Sequence, residues 1–187
     1  MEQPILQTTR LMLRPFTMAD APAVKRLAGA PEVADTTLSL PHPYPDGAAE
    51  EWIGTHAEQF ASGTGATFAM VDRGTIEVCG AIALDITPRF RRAEMGYWLG
   101  VPYWNRGYTT EAAAAILKYG FETLNLHRIF AQHFTRNPAS GRVMQKIGMI
   151  FEGILREHLL KDGRFEDVAV YGILQREWRA QQAGKWQ

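Results

Sequence analysis

Ala93-Glu94-Met95-Gly96-Tyr97-Trp98-Leu99 is followed after three residues by Tyr103-Trp104-Asn105-Arg106-Gly107-Tyr108-Thr109-Thr110-Glu111-Ala112, and the stretch continues to Leu124. The first segment reads as a strand. From Thr109 or Thr110 the pattern changes: Ala113, Ile116, Leu117, Phe121 and Leu124 recur at three- and four-residue steps, which is one face of a helix. Between the two, Gly107 permits backbone conformations and close approach that a β-carbon would block. The first helical turn offers unpaired N–H groups at the positive end of its dipole. Strand, turn and helix together form an anion site where a pyrophosphate can dock on main-chain donors, with Arg106 adding charge. The same residues also describe an ordinary helix start with threonine caps. A Walker A loop is excluded because Tyr108, not lysine, follows Gly107, and a dinucleotide fingerprint lacks its three spaced glycines.

Working outward, Thr67 to Val71 and Val78 to Ile86 are further strand-like runs, separated by turns at Asp72-Arg73-Gly74 and Thr87-Pro88-Arg89. With Ala93 to Leu99 they make an antiparallel meander. Nearer the start, Leu11 to Arg14 reads as a strand ended by Pro15, and Thr17 caps a helix with Asp20 in its first turn and Val24 and Leu27 inward. A second helix covers Ala48 to Phe60, and Pro41-His42-Pro43-Tyr44-Pro45 is a loop too short to link domains. Beyond the central helix come a strand from Arg128 to Phe134 and a helix from Pro138 to Ile147 ended by Gly148. Two strands follow, near Phe151 to Leu160 and Val168 to Leu174, about a turn at Lys161-Asp162-Gly163-Arg164. The order is α+β, in one domain spanning residues 1–187.

The bulk numbers agree with one substantial core: 187 residues, 46% hydrophobic and 21% charged. Twenty basic and twenty acidic residues cancel to +0, so nothing global draws the chain to nucleic acid or to a membrane surface. No apolar run approaches the roughly 20 residues of a bilayer span, and Met1-Glu2-Gln3-Pro4 lacks the features of a signal peptide, which makes a cytoplasmic location the expectation. The single cysteine, Cys79, sits in an apolar run and reads as a small buried hydrophobe. No His or Cys pair has ligand spacing, so no metal is expected.

The series does not end at Ala112. It continues through Arg128-Ile129, Asn137-Pro138-Ala139-Ser140, Lys146-Ile147-Gly148-Met149, Glu152-Gly153, Arg156-Glu157-His158 and Tyr171. In that order, across nearly the whole chain, it resembles the GNAT acetyltransferases, and more narrowly the RimJ/RimL-like branch that modifies ribosomal-protein N-termini. The resemblance implies the GNAT fold, a twisted and mostly antiparallel mixed sheet flanked by helices on both faces. It also implies acetyl-CoA as co-substrate and an amine acceptor, either a protein N-terminus or a small amine, and it leaves room for a homodimer. The family's turn is usually Gln or Arg, two residues, Gly, one residue, then Gly or Ala. Here Trp104 takes the first place, Gly107 the glycine and Thr109 the last, so Thr109 brings a side chain to where backbone meets phosphate.

By the same resemblance Tyr97, Trp98 and Leu99 pair with the pantetheine arm as an extra strand would. A backbone N–H there polarises the thioester carbonyl. Asn105, Arg106, Gly107, Tyr108, Thr109 and Thr110 cradle the pyrophosphate, and Asn137 bonds a pantetheine amide. The attacking amine must lose a proton to a carboxylate or an ordered water, and Glu94 resembles the glutamate that serves as base in some members of the family; it also reads as a solvated strand residue or a partner of Arg91 or Arg92. Many relatives carry a tyrosine seven residues after the motif asparagine to serve the departing thiolate. That position is Met144, and Ser140 is the hydroxyl that replaces it, or else simply a first-turn residue of its helix. Glu111 and His158 read as structural. A chain that binds CoA without catalysis is the rival to both acceptor classes.

Overall fold

A computed structural model describes residues 2–184; Met1 and the last three residues of the expected domain lie outside it. Among the described residues one eight-stranded sheet runs in the order β1-β2-β3-β4-β5-β6-β8-β7. Its strands are β1 Leu6–Gln7, β2 Leu11–Arg14, β3 Gly65–Asp72, β4 Val78–Thr87, β5 Arg92–Leu99, β6 Arg128–Phe134, β7 Ile150–Lys161 and β8 Arg164–Leu174. Every neighbouring pair is antiparallel except β5 and β6, which are parallel. This is the mixed, mostly antiparallel sheet expected from sequence, and the meander β3-β4-β5 is present as read.

The helices are α1 Ala21–Ala28, α2 Pro31–Asp35, α3 Ala48–Ser62, α4 Tyr108–Lys118, α5 Pro138–Lys146 and α6 Gln175–Gly184. On one face of the sheet α4 buries Ala112, Ala113, Ile116 and Leu117 against Leu13, Phe68, Ile82, Leu84, Met95 and Ile129. On the other, Val24 and Leu27 of α1 and Ile53 of α3 pack over Ala81 and Trp98. Each sheet residue faces one layer or the other by the period-two alternation of a strand, so odd positions of β5 point toward α4 and even ones toward α1 and α3.

Several boundaries differ from the sequence reading. The central helix begins at Tyr108 and gives way after Lys118 to a wider π turn over Tyr119–Thr123. There Gly120 presses onto the sheet; a β-carbon on it would lie 2.6 Å from Ile129 Cδ1. Thr17 precedes a short 3-10 turn, Met18–Asp20, before α1, and the Asp20 carboxylate accepts the Thr17 N–H at 2.8 Å. β1, α2 and α6 were not anticipated. Each is short or anchored by few residues, α6 by buried Trp178 against Phe121, which leaves little periodicity to read. Cys79 is fully buried, and burial pushes its thiol up to about 12, as suits a packing residue.

His56 on α3 is the one buried histidine of this layer. Its ring lies between Trp52 and Phe16, with centroids at 4.5 and 5.6 Å. Neither ring nitrogen has a hydrogen-bond partner, and burial pushes its pKa down to about 4. The unfolded chain therefore takes up a proton that the folded chain refuses between about pH 6.5 and 4. Stability is full above that window and lost as pH falls through it, by about 3 kcal/mol at 1.36 kcal/mol per pKa unit. Urea unfolding measured across this range should show the slope in the parent chain and a flattened one in His56→Leu.

Candidate active site

Pairing between β5 and β6 covers only Arg92↔Arg128, Ala93↔Ile129 and Glu94↔Phe130. Past Glu94 the two strands part, and a cavity of about 800 Å³ opens between them. The Gly100 N–H donates to the Cys79 carbonyl at 2.9 Å. By alternation the main-chain groups of Trp98 then face β4, while those of Tyr97 and Leu99 face the open edge. The extra-strand role expected of Tyr97, Trp98 and Leu99 thus falls on Tyr97 and Leu99. The Leu99 carbonyl is already taken by the Trp104 indole N–H at 2.6 Å.

All the residues assigned from sequence line this cavity except Arg106. Glu94, Tyr97, Trp98 and Leu99 come from β5, Asn105, Gly107, Tyr108, Thr109 and Thr110 from the turn and first turn of α4, and Asn137 and Ser140 from the start of α5. Arg106 is exposed, with its guanidinium 5.8 Å from the Tyr103 ring. The turn has left-handed backbone at Asn105, φ 60°, and at Gly107, φ 77°. The first helical hydrogen bond runs from Glu111 N–H to the Gly107 carbonyl, so the amides of Tyr108, Thr109 and Thr110 have no acceptor within the helix. These donors and the helix dipole are suited to holding an anion. Tyr108 pins the turn from below, its hydroxyl donating to Asp72 at 2.6 Å.

Arg10 is a neighbour that sequence reasoning missed. Its Nη1 donates to the Arg106 carbonyl at 2.7 Å, its guanidinium lies 4.9 Å from the Tyr108 ring, and its Nε meets Glu111 at 2.7 Å. Glu111 also accepts from Thr8 Oγ1 and the Arg10 N–H, at 2.6 and 2.7 Å, which is the structural part expected of it. Arg142 and Lys146 of α5 also line the cavity. Their four-residue spacing on one helix face was a usable signal for a second cationic wall.

Glu94 is half-buried and accepts a hydrogen bond from Gln132 Nε2 at 2.8 Å; no ion pair to Arg91 or Arg92 forms among the described residues. Burial raises its pKa above the usual carboxylate value, the Gln132 bond pulls it back in part, and Asp85 opposite raises it further. The net direction is upward, toward the range where a carboxylate can take a proton from an amine and release it again. Ser140 Oγ lies 2.8 Å from the Tyr97 hydroxyl, and its N–H reaches Asn137 Oδ1 at 3.4 Å. Asn137 is therefore the cap of α5 as well as a cavity residue. Met144 is fully buried and away from the cavity wall, and His158 is exposed on β7.

Residues 10–150 match the family described as Acetyltransferase (GNAT) domain. The chain is a GNAT acetyltransferase. It is 34% identical over 172 residues to the uncharacterized N-acetyltransferase YoaA of Bacillus subtilis, covering 91% of this chain and 97% of that one. Over 142 residues it is 28% identical to the [ribosomal protein uS5]-alanine N-acetyltransferase of Escherichia coli, covering 73% and 71%. A GNAT-family acetyltransferase from Bacillus anthracis, 28% identical, superposes with a TM-score of 0.83 over 92% of this chain and 99% of that chain. Solved structures of the same fold include complexes with coenzyme A. The acetyltransferase draws its acetyl group from acetyl-CoA, and no group of His, Cys, Asp or Glu able to hold a metal occurs among the described residues. Also among them, no helix is long and apolar enough to cross a membrane.

A branched residue at position 107 would meet a left-handed φ and block the close approach of phosphate. Gly107→Val should abolish the rise in melting temperature that saturating acetyl-CoA gives the parent chain. An undiminished shift would remove the turn from cofactor binding.

Proposed function

We propose that this acetyltransferase modifies the N-terminal α-amino group of a protein, a ribosomal protein being the favoured class, by direct attack of the amine on bound acetyl-CoA. One observation carries the choice of acceptor. Asp85 and Glu94 face each other across β4 and β5 and are, among the described residues, the only carboxylates lining the cavity. Around them the wall is neutral or apolar, with Val33, Leu38, Leu40, Trp52, Leu159 and Val168. That is a place for one ammonium group followed by an uncharged chain. A polyamine or an aminoglycoside would bring more charges than these two adjacent carboxylates can meet, and unpaired charge removed from water is costly. The similarity to ribosomal-protein N-acetyltransferases supports the same reading.

In this scheme Thr109, Thr110 and the other turn amides hold the pyrophosphate, with Arg142 and Lys146 adding charge from α5. The arm lies along the open edge of β5, where the Tyr97 or Leu99 N–H meets the thioester carbonyl oxygen as negative charge develops on it. Glu94 takes the proton of the ammonium. The freed nitrogen attacks the carbonyl carbon, the carbon–sulfur bond breaks, and the Ser140 hydroxyl donates a hydrogen bond to the departing sulfur. A homodimer fits the outermost strand β7, where Ile150, Phe151, Ile154 and Leu155 remain exposed.

Glu94→Gln should lower kcat by roughly 10²-fold or more with acetyl-CoA binding intact, the usual scale for a general base. Gln132→Leu removes a hydrogen bond that favours the ionised carboxylate. The base then protonates at higher pH, and the acid limb of kcat/KM should move up; a limb that stays in place would separate Glu94 from it. Intact-mass measurement after incubation with acetyl-CoA should show one acetyl group on uncharged N-terminal peptides and little on spermidine or kanamycin. The reverse order would overturn the acceptor assignment.

A further inference from the structure

We propose that Tyr97 is a positioning residue for the Ser140 hydroxyl, aiming its proton at the departing CoA sulfur from the wall of the cavity opposite Glu94. The inference rests on the role given to Ser140 above. Tyr97 lies just past the last β5–β6 pair, and as an odd position of β5 it points toward the layer of α4 and α5. Its hydroxyl reaches the start of α5, where it meets Ser140 Oγ at 2.8 Å and the Ser140 carbonyl at 3.2 Å. A serine hydroxyl has one proton and can accept as well as donate. When the phenol donates to Ser140 Oγ, the shorter of its two contacts, the serine proton is left to point into the cavity. Without the phenol, Ser140 is free to rotate toward its own helix.

The placement divides the chemistry between two faces. Glu94, an even position, lies toward α1 and α3, where the acceptor wall stands, and Tyr97 and Ser140 lie on the far side. Met144 supplies no hydroxyl and is sealed in the core, so the phenol reaches the site from a different element. Burial pushes Tyr97 up to about 12, and it stays protonated at any working pH. A phenol that holds its proton more tightly than a thiol, whose ordinary pKa is about 8.5, acts as a donor and not as an acid. The balance follows. The ammonium gives one proton to Glu94 before attack and a second as the tetrahedral intermediate collapses, both passing on to water. The carbon–sulfur electron pair leaves on sulfur, the thiolate is held by the Ser140 hydrogen bond, and it takes a proton from water on release.

Tyr97→Phe keeps the ring and removes only the hydroxyl. In the full chain, single-turnover rates at saturating acetyl-CoA should fall about tenfold or more, with KM for acetyl-CoA within about twofold of the parent. Ser140→Ala should lose at least as much, and the double variant should be no slower than Ser140→Ala alone, because the phenol acts through the serine. Heat protection by acetyl-CoA, measured on each variant, gives the folded and loaded fraction to which rates are normalised. A full rate in Tyr97→Phe, a change confined to KM, or losses that multiply in the double variant would overturn the positioning role while leaving Ser140 its own. A full rate in Ser140→Ala would remove the serine from the reaction and Tyr97 with it.

Discussion

The site exists because β5 and β6 are paired for three residues and then stop. A strand edge left open in a sheet exposes main-chain donors and acceptors that must find partners. Here the edge is lined by Tyr97 and Leu99, and the start of α5 and the turn at Gly107 line the space beside it. An extended thioester arm is a partner of the right shape, much as a peptide adds itself to a sheet edge. The parallel direction of β6 matters too. A parallel neighbour needs a crossover, and that crossover is α4, whose N-terminus is thereby delivered to the end of the open edge. One interruption in hydrogen bonding therefore sets both the open edge proposed for the arm and the helix N-terminus proposed for its phosphates.

Much of this was legible from local pattern. The strand from Arg128 to Phe134 is found at its expected bounds, and the helices after Gly107 and Asn137 start within a residue or two of where the glycine and the proline put them. Turns and helix starts are set by nearby residues, and these leave a mark in the sequence. What could not be read depends on register between distant strands. Gln132 reaches Glu94 from 38 residues away, Tyr97 meets Ser140 from 43, and Arg10 joins Glu111 from 101. Nothing in the spacing of those residues announces a contact. The reading of Tyr97 as backbone alone missed its hydroxyl for that reason.

The charges of the cavity are sorted by the same register. Cross-strand pairing of Asp85 with Glu94 sets two carboxylates side by side on the acceptor wall. The charge of Asp85 disfavours ionisation of Glu94, which adds to burial in raising the Glu94 pKa. Arg142 and Lys146 stand on α5 and line the same cavity. In the proposed scheme an entering ammonium is drawn to the carboxylates and the nucleotide to the cations, so each reactant has one favourable orientation before any chemistry begins.

The acceptor wall has a further property that explains why sequence said least about it. Part of it is the segment after α2, Thr36 to Leu40, which has no regular structure of its own. It is held instead by the β7–β8 hairpin. Buried Lys161 donates to the Leu40 carbonyl at 2.9 Å and lies 3.4 Å from the Leu38 carbonyl, across more than 120 positions of chain. Arg136, between Asp35 at 2.7 Å and Glu166 at 2.9 Å, ties the end of α2 to β8. A buried ammonium without such acceptors would be expensive, so the segment and the lysine hold each other in place. In the proposed scheme the wall that meets the amine is thus set by the β7–β8 hairpin, and a change of acceptor would be made there without touching the cofactor turn or the open edge.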